Sequence, residues 1–223
     1  MSAEKNEQLN PQEVLTRFED YVNKNRNILT AIVGGLVLIV GGYFGFKYLY
    51  LQPRETEAQE QMFYAQKYLE KDSLNLALNG DKNYPGFKKI VEDYKWTKAA
   101  NLANYYCGTI LLKQGKFDES ITYLKSFDGH STPYQAVTYG AMGDAYSELN
   151  KADEAVEYYK KAAYTAENEI TTPMYLERAA LYLKVNKKNE EAIKLFNELK
   201  NKYPNSNEGR NADKYIYSLQ ASN

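Results

Sequence analysis

One cysteine, one histidine and one tryptophan in 223 residues leave little material for covalent or metal chemistry. With Cys107 alone, no disulfide can close within the chain, and the thiol suits either side of a membrane. His130 lies in a Gly-His-Ser-Thr-Pro stretch, and without a second histidine or a cysteine cluster it cannot complete a site of the usual soft ligands. Cys107 falls on the apolar side of a helical pattern, where cysteine behaves as a small hydrophobe rather than as a nucleophile. No glycine-rich phosphate loop is present. Acidic pairs such as Asp118-Glu119 and Glu190-Glu191 read as solvated acids at helix starts. The 28 basic residues against 29 acidic ones give a net charge of −1, and hence no global reason for a nucleic-acid partner. The residues point to no catalytic, cofactor or metal site, no small-molecule substrate and no enzyme. Prolines and glycines are also few, whereas 22 tyrosines are many, a composition suited to helices packed through aromatic side chains.

What the chain does have is an uninterrupted apolar run. No charged side chain occurs between residues 27 and 46, and the stretch 28–46 reads ILTAIVGGLVLIVGGYFGF. As a helix it covers about 30 Å, the thickness of a bilayer's hydrocarbon core. Its five glycines lower helix propensity, but unpaired backbone in lipid costs more. The polar lead-in is too long for a secretory signal peptide, and so is the apolar run, so an uncleaved anchor is expected. Arg17, Lys24 and Arg26 precede it, and Tyr43, Lys47, Tyr48 and Tyr50 follow. That balance favours a cytoplasmic N-terminus and a C-terminal domain outside, though Lys47 and Arg54 dilute the bias. Ala31, Gly35, Gly41, Gly42 and Gly45 lie near one stripe where a second membrane helix could approach, or simply reflect the glycine common in such helices.

Around the anchor, Asn10-Pro11 reads as a cap and first turn, after a polar stretch over residues 1–9. Val14, Leu15, Phe18, Tyr21 and Val22 then make one apolar face, either a helix lying on the membrane surface or an extension of the anchor. Beyond Pro53, residues 55–78 read as a helix with Met62, Phe63, Ala65, Leu69, Leu74 and Leu78 on its apolar side, and a possible break near Asp72-Ser73. Asn79-Gly80 is a stop, and a shorter helix restarts after Tyr84-Pro85 through Phe87, Ile90, Val91 and Tyr94.

From there a pattern recurs. NYYCGTILLKQGKFDESITYLKSF aligns with TYGAMGDAYSELNKADEAVEYYKKA and LERAALYLKVNKKNEEAIKLFNEL. Small residues recur at Gly108, Gly143 and Ala180, followed by Leu111, Tyr146 and Leu183. A second small set is Ser120, Ala155 and Ala192, followed by Leu124, Tyr159 and Phe196. The intervals are 35 and 37 residues. Each small residue belongs where two paired helices cross, and each large one fills the gap between pairs. This pattern resembles the tetratricopeptide repeat, although the tryptophan of that pattern is replaced by Asn104, Tyr139 and Leu176. Pro204 closes the last unit as the pattern asks.

The expected fold is all-α: a single transmembrane helix followed by a tetratricopeptide-repeat solenoid of helix-turn-helix units. The expected segments are 1–27 (cytoplasmic, with the short amphipathic helix), 28–51 (transmembrane), 52–96 (a degenerate first repeat), 97–205 (three repeats) and 206–223 (a capping helix with Ala212, Tyr215, Ile216 and Leu219 apolar). By repeat geometry the first helix of each pair lines a concave face. Its candidates for partner binding are Leu102, Tyr105, Thr109 and Leu112, then Val137, Asp144, Ser147 and Glu148, then Glu177, Leu181 and Lys184. That surface is mixed apolar and acidic.

Taken together, the lead PQEVLTRFEDYVNKNRN, the glycine-rich anchor and the repeats directly behind it resemble the ancillary subunit family of the SecYEG translocon. NLANYYCGTILLKQGKFDESITYL and ALNGDKNYPGF are similar to proteins of this build in Bacteroidetes-type bacteria. The resemblance implies a single-pass inner-membrane protein with periplasmic repeats. Its implied partners are the translocon and a membrane-anchored, prolyl-isomerase-like periplasmic chaperone. A scaffold in another envelope complex, for secretion or division, is the alternative.

Overall fold

The computed structural model describes residues 11–130 and 133–221, and every regular element among them is a helix. The expected cap at Asn10 and the Ser131-Thr132 part of the histidine loop lie outside the described residues. The chain divides after Pro53 into two units, which are taken separately.

In the first unit, α1 (Pro11–Lys24) and α2 (Arg26–Gly45) are separated by Asn25 alone, with φ −107° and ψ 13°. The amide of Leu29 still donates to the Asn25 carbonyl at 2.9 Å, so the ladder barely breaks. Neither helix buries a residue, and Leu38 and Ile39 are more than 70% exposed. With a mean hydropathy of 2.1 in its most apolar window, α2 is long and apolar enough to cross a membrane. A π-turn, Phe46–Leu51, follows, in which the Gln52 amide donates to the Lys47 carbonyl. Pro53 explains it: proline has no amide proton to give the Leu49 carbonyl, and its ring crowds that oxygen, so the preceding turn widens.

The second unit begins within α3 (Gln52–Glu70) and continues through α4 (Leu74–Asn79), α5 (Phe87–Asp93), α6 (Lys98–Lys113), α7 (Phe117–Ser126), α8 (Pro133–Glu148), α9 (Ala152–Thr165), α10 (Thr171–Val185), α11 (Asn189–Lys202) and α12 (Asn207–Gln220). Four of these helices end in one way. Asp72, Gly115, Asn150 and Lys187 all sit at left-handed φ, between 54° and 74°. The next residue's amide reaches back to Tyr68, Leu111, Tyr146 and Leu183 in turn, each bond 2.9 or 3.0 Å long. This is the αL helix stop, which satisfies the last carbonyls and turns the chain back on itself.

The sequence spacing then has its physical meaning. A Cβ added to Gly108 would lie 2.5 Å from Leu124 Cγ, and one on Gly143 would lie 2.5 Å from Tyr159 Cδ1. These glycines sit where the paired helices cross. The Ser120 hydroxyl, 12 residues on, donates to the Gly108 carbonyl at 2.7 Å. Ala155 and Gly143, Ala192 and Ala180, and also Ala77 and Ala65, repeat that separation, and all five alanines are fully buried.

Residues 55–78 are thus two helices, broken at the anticipated Asp72-Ser73. Phe63 departs from its expected place: it is 51% exposed, while Met62 and Ala65 are buried. It sits one residue off the buried stripe and packs edge-on to Tyr64 under Lys67 instead. Between α4 and α5, Gly80 and Pro85 pair across a short loop. A Cβ on Gly86 would fall 2.3 Å from the Gly80 amide nitrogen, so only glycine admits this approach.

The apolar interior forms two clusters. One gathers Met62, Leu78, Phe87, Ile90, Ile110 and Leu111 across α3 to α6. The other runs from Ile121 and Leu124 through Met142, Leu176 and Phe196 to Ile216 and Leu219. α12 closes its far end, with the Tyr215 ring stacked on Phe196 at 4.8 Å.

Candidate protein-binding face

The first helices of the pairs, α6, α8 and α10, lie side by side. Of the eleven residues expected to face a partner, Glu148 is exposed and the other ten are partly buried. Leu102, Tyr105, Leu112 and Leu181 lean against the two apolar clusters. Tyr105 sits in an aromatic patch with Tyr106 and Phe127, each at 5.6 Å, and Tyr134 at 6.2 Å. Burial pushes its phenol up from the usual tyrosine range. The Thr109 hydroxyl is spent on its own helix, donating to the Tyr106 carbonyl. Val137 is half-buried on α8.

The structure brings Asp144, Ser147 and Leu181 together, and it changes the role of the aspartate. Arg178 Nη1 lies 2.7 and 2.9 Å from the two Asp144 carboxylate oxygens, and the Tyr159 hydroxyl donates to the same carboxylate at 2.8 Å. The Ser147 carbonyl accepts from the Tyr182 hydroxyl. Leu181 lines a shallow cavity of about 270 Å³ with Asp144, Tyr159, Arg178, Tyr182 and Val185. Asp144 is therefore not a free acid on a mixed apolar and acidic surface; its charge is matched by Arg178. Sequence reading missed Arg178, although a signal was available. The two residues are 34 apart, close to one repeat, as are Tyr182 and Ser147 at 35.

Toward the C-terminal end, Lys184 Nζ lies 5.3 Å from the centre of the Tyr215 ring. Glu177 is half-buried, and burial, with the Glu208 carboxylate beside it, raises its pKa.

The helix-start acids Asp118, Glu119, Glu190 and Glu191 sit exposed in first turns, as expected, and the first two also meet lysines. Asp118 lies 3.9 Å from Lys151 Nζ and Glu119 3.2 Å from Lys88 Nζ. Asp153 pairs with Lys188 as Asp118 does with Lys151, so lysines at the start of α9 and α11 reach acids on the second helix before each. Because these pairs are exposed to solvent and its screening, each contributes little net stability.

Away from this face, two clefts of about 650 and 540 Å³ meet at the Asp128–His130 segment. The larger is walled by Lys125, Phe127, Tyr139, Tyr158 and Lys161, and nothing in the sequence pattern anticipated it. The only cysteine is fully buried on α6, and burial pushes its thiol up to about 12. No group of three or more metal-ligating side chains gathers among the described residues.

Two family models match the chain, both described as tetratricopeptide repeat: one covers residues 136–169, the other residues 174–206. The matches fall on α8–α9 and α10–α11. Comparison with the curated proteins returns no match. The chain therefore contains tetratricopeptide repeats, modules of protein–protein interaction, stacked as a helical solenoid.

Proposed function

We propose that this tetratricopeptide-repeat protein is a membrane-tethered adaptor that receives other polypeptides at the bacterial inner membrane, as an accessory of the SecYEG translocon in protein export. In this reading α2 and the π-turn cross the membrane, the N-terminus is cytoplasmic and the repeats work in the periplasm. The observation that carries it is the combination of repeat-matched helix pairs with a helix of mean hydropathy 2.1 that buries none of its own residues. Such a tether holds the repeats at high effective concentration beside membrane partners, which lets a modest binding face act.

The face would work through its half-buried apolar residues. Leu102, Tyr105, Leu112 and Leu181 offer apolar area worth about 25 cal/mol per Å² on burial. Glu148, Glu177 and Lys184 would set register and exclude wrong partners more than they add affinity. A photocrosslinker placed at Leu102 or Leu181 in living cells is expected to capture translocon subunits or a membrane-anchored periplasmic chaperone. Capture of neither rejects the assignment. A reporter fused after Asn223 and active only in the periplasm tests orientation.

The scaffold reading has its own support. A Cβ added at Gly34, Gly35, Gly41, Gly42 or Gly45 meets nothing within 4 Å, so with Ala31 these positions leave a helix surface open to close approach. A mild-detergent pull-down dominated by secretion or division components, without translocon subunits, would favour it.

A further inference from the structure

The only tryptophan of the chain is held outward on a turn that is fastened to the first two residues of the repeat unit. Trp96 is 73% exposed and adopts φ 70°. A bulky side chain rarely tolerates that backbone, and such a residue persists where its surroundings over-determine it. The other left-handed positions among the described residues are filled by glycine, aspartate, asparagine, histidine and lysine.

The surroundings here are rigid. The Thr97 amide and hydroxyl both donate to the Tyr94 carbonyl, at 3.2 and 2.7 Å, and the Ala100 amide donates to the Thr97 hydroxyl. From α3, the Glu55 carboxylate accepts from the amides of Lys98 and Ala99 at 2.5 and 3.2 Å. The Arg54 guanidinium donates to the Asp93 carbonyl and covers the Tyr94 ring at 5.4 Å. Lys95 and Lys98, on either side of the indole, are exposed.

Residues 54 and 55 follow closely on the stretch assigned to the membrane. Even fully extended, the chain from Leu51 to Glu55 spans no more than about 14 Å. One headgroup layer is roughly 5–7 Å deep. The turn is clamped to Glu55 itself, so only these few residues of chain separate its fastening point from the stretch assigned to the membrane. Tryptophan is the side chain that settles at that depth, with its ring against acyl chains and its N–H toward water, and lysines meet anionic headgroups there.

We propose that Lys95, Trp96 and Lys98 form a second membrane contact, seated in the headgroup layer of an anionic leaflet. The contact rests on the anchor reading above, and it would hold the first repeat against the bilayer. Because Trp96 is the sole tryptophan, its emission reports on this turn without any labelling.

The full chain is reconstituted in phosphatidylcholine–phosphatidylglycerol vesicles, with acyl chains either plain or brominated near the ester. Bromination is expected to cut Trp96 emission by about half, as for an indole at the interface. Lys95→Glu/Lys98→Glu should restore most of it while circular dichroism stays unchanged. Flotation of the same samples reads the anchor independently. If the chain floats with the vesicles but bromine leaves the emission untouched, and acrylamide quenches it as it would a free indole, the contact is refuted and the anchor stands. If the chain fails to float, the anchor reading itself falls, and this contact with it.

Discussion

At the scale of single residues, the helix crossings are the least forgiving positions. The Tyr159 ring that a Cβ on Gly143 would strike is itself buried, so it cannot swing aside. Gly143→Ala is expected to cost about 1–3 kcal/mol, the ordinary penalty for overpacking, read as a lowered midpoint in urea. Cys107 makes a different test. With its thiol raised to about 12, the thiolate fraction at neutral pH is only about 10⁻⁵. The folded protein should resist a thiol-directed maleimide and react only as it unfolds. Glu177 predicts a pH dependence. Its carboxyl is raised in the folded state, so the native protein holds the proton to higher pH than the unfolded chain does. Ionised Glu177 therefore destabilises the fold above its folded pKa, and the loss is relieved as pH falls through that value. Glu177→Gln should raise the melting temperature at pH 7, with the gain vanishing in acid.

At the scale of elements, the four αL stops make the repeats comparable position by position. Lys187 occupies the place that Gly115 fills two helix pairs earlier in the stack, and it pays the steric cost of left-handed backbone. Lys187→Gly should stabilise the protein by up to about 1 kcal/mol, measured by thermal melting, because glycine adopts that conformation freely. Much of this layer was legible in the sequence. Gly108, Gly143 and Ala180 announced the crossings because a small residue there is a steric demand, and steric demands repeat with the fold. The break at Asp72-Ser73 was visible for a similar reason. What stayed hidden was specific to single side chains. Asp144 reads as a free acid until Arg178 is seen on the first helix of the next pair, and Phe63 looks like core because helical spacing alone does not fix which edge of a stripe meets a neighbour. The binding face suffers most from this, since it is made of partly buried residues whose partners lie one repeat away.

At the scale of the whole molecule, the repeat unit carries two apolar clusters, with Leu111 of α6 in one and Leu124 of α7 in the other. Nearest-neighbour stacks of this kind can open part by part. Native-state hydrogen exchange should resolve two groups of amides, α4–α6 and α8–α11, with distinct opening free energies. One common value for every slow amide would mean that the clusters act as one. The proposed adaptor face runs along α6, α8 and α10 and leans on both clusters, with Leu102 against one and Leu181 against the other.

The divided interior also bears on mechanical load. A cargo gripped near α10 and drawn away from the bilayer would pull first on the α8–α12 block. The seam between α7 and α8, less extensive than the α6–α7 crossing, could then part while α3 to α7 stayed folded. Such a protein would act as a shock absorber, lengthening in a discrete step under tension and recoiling once the strain was released.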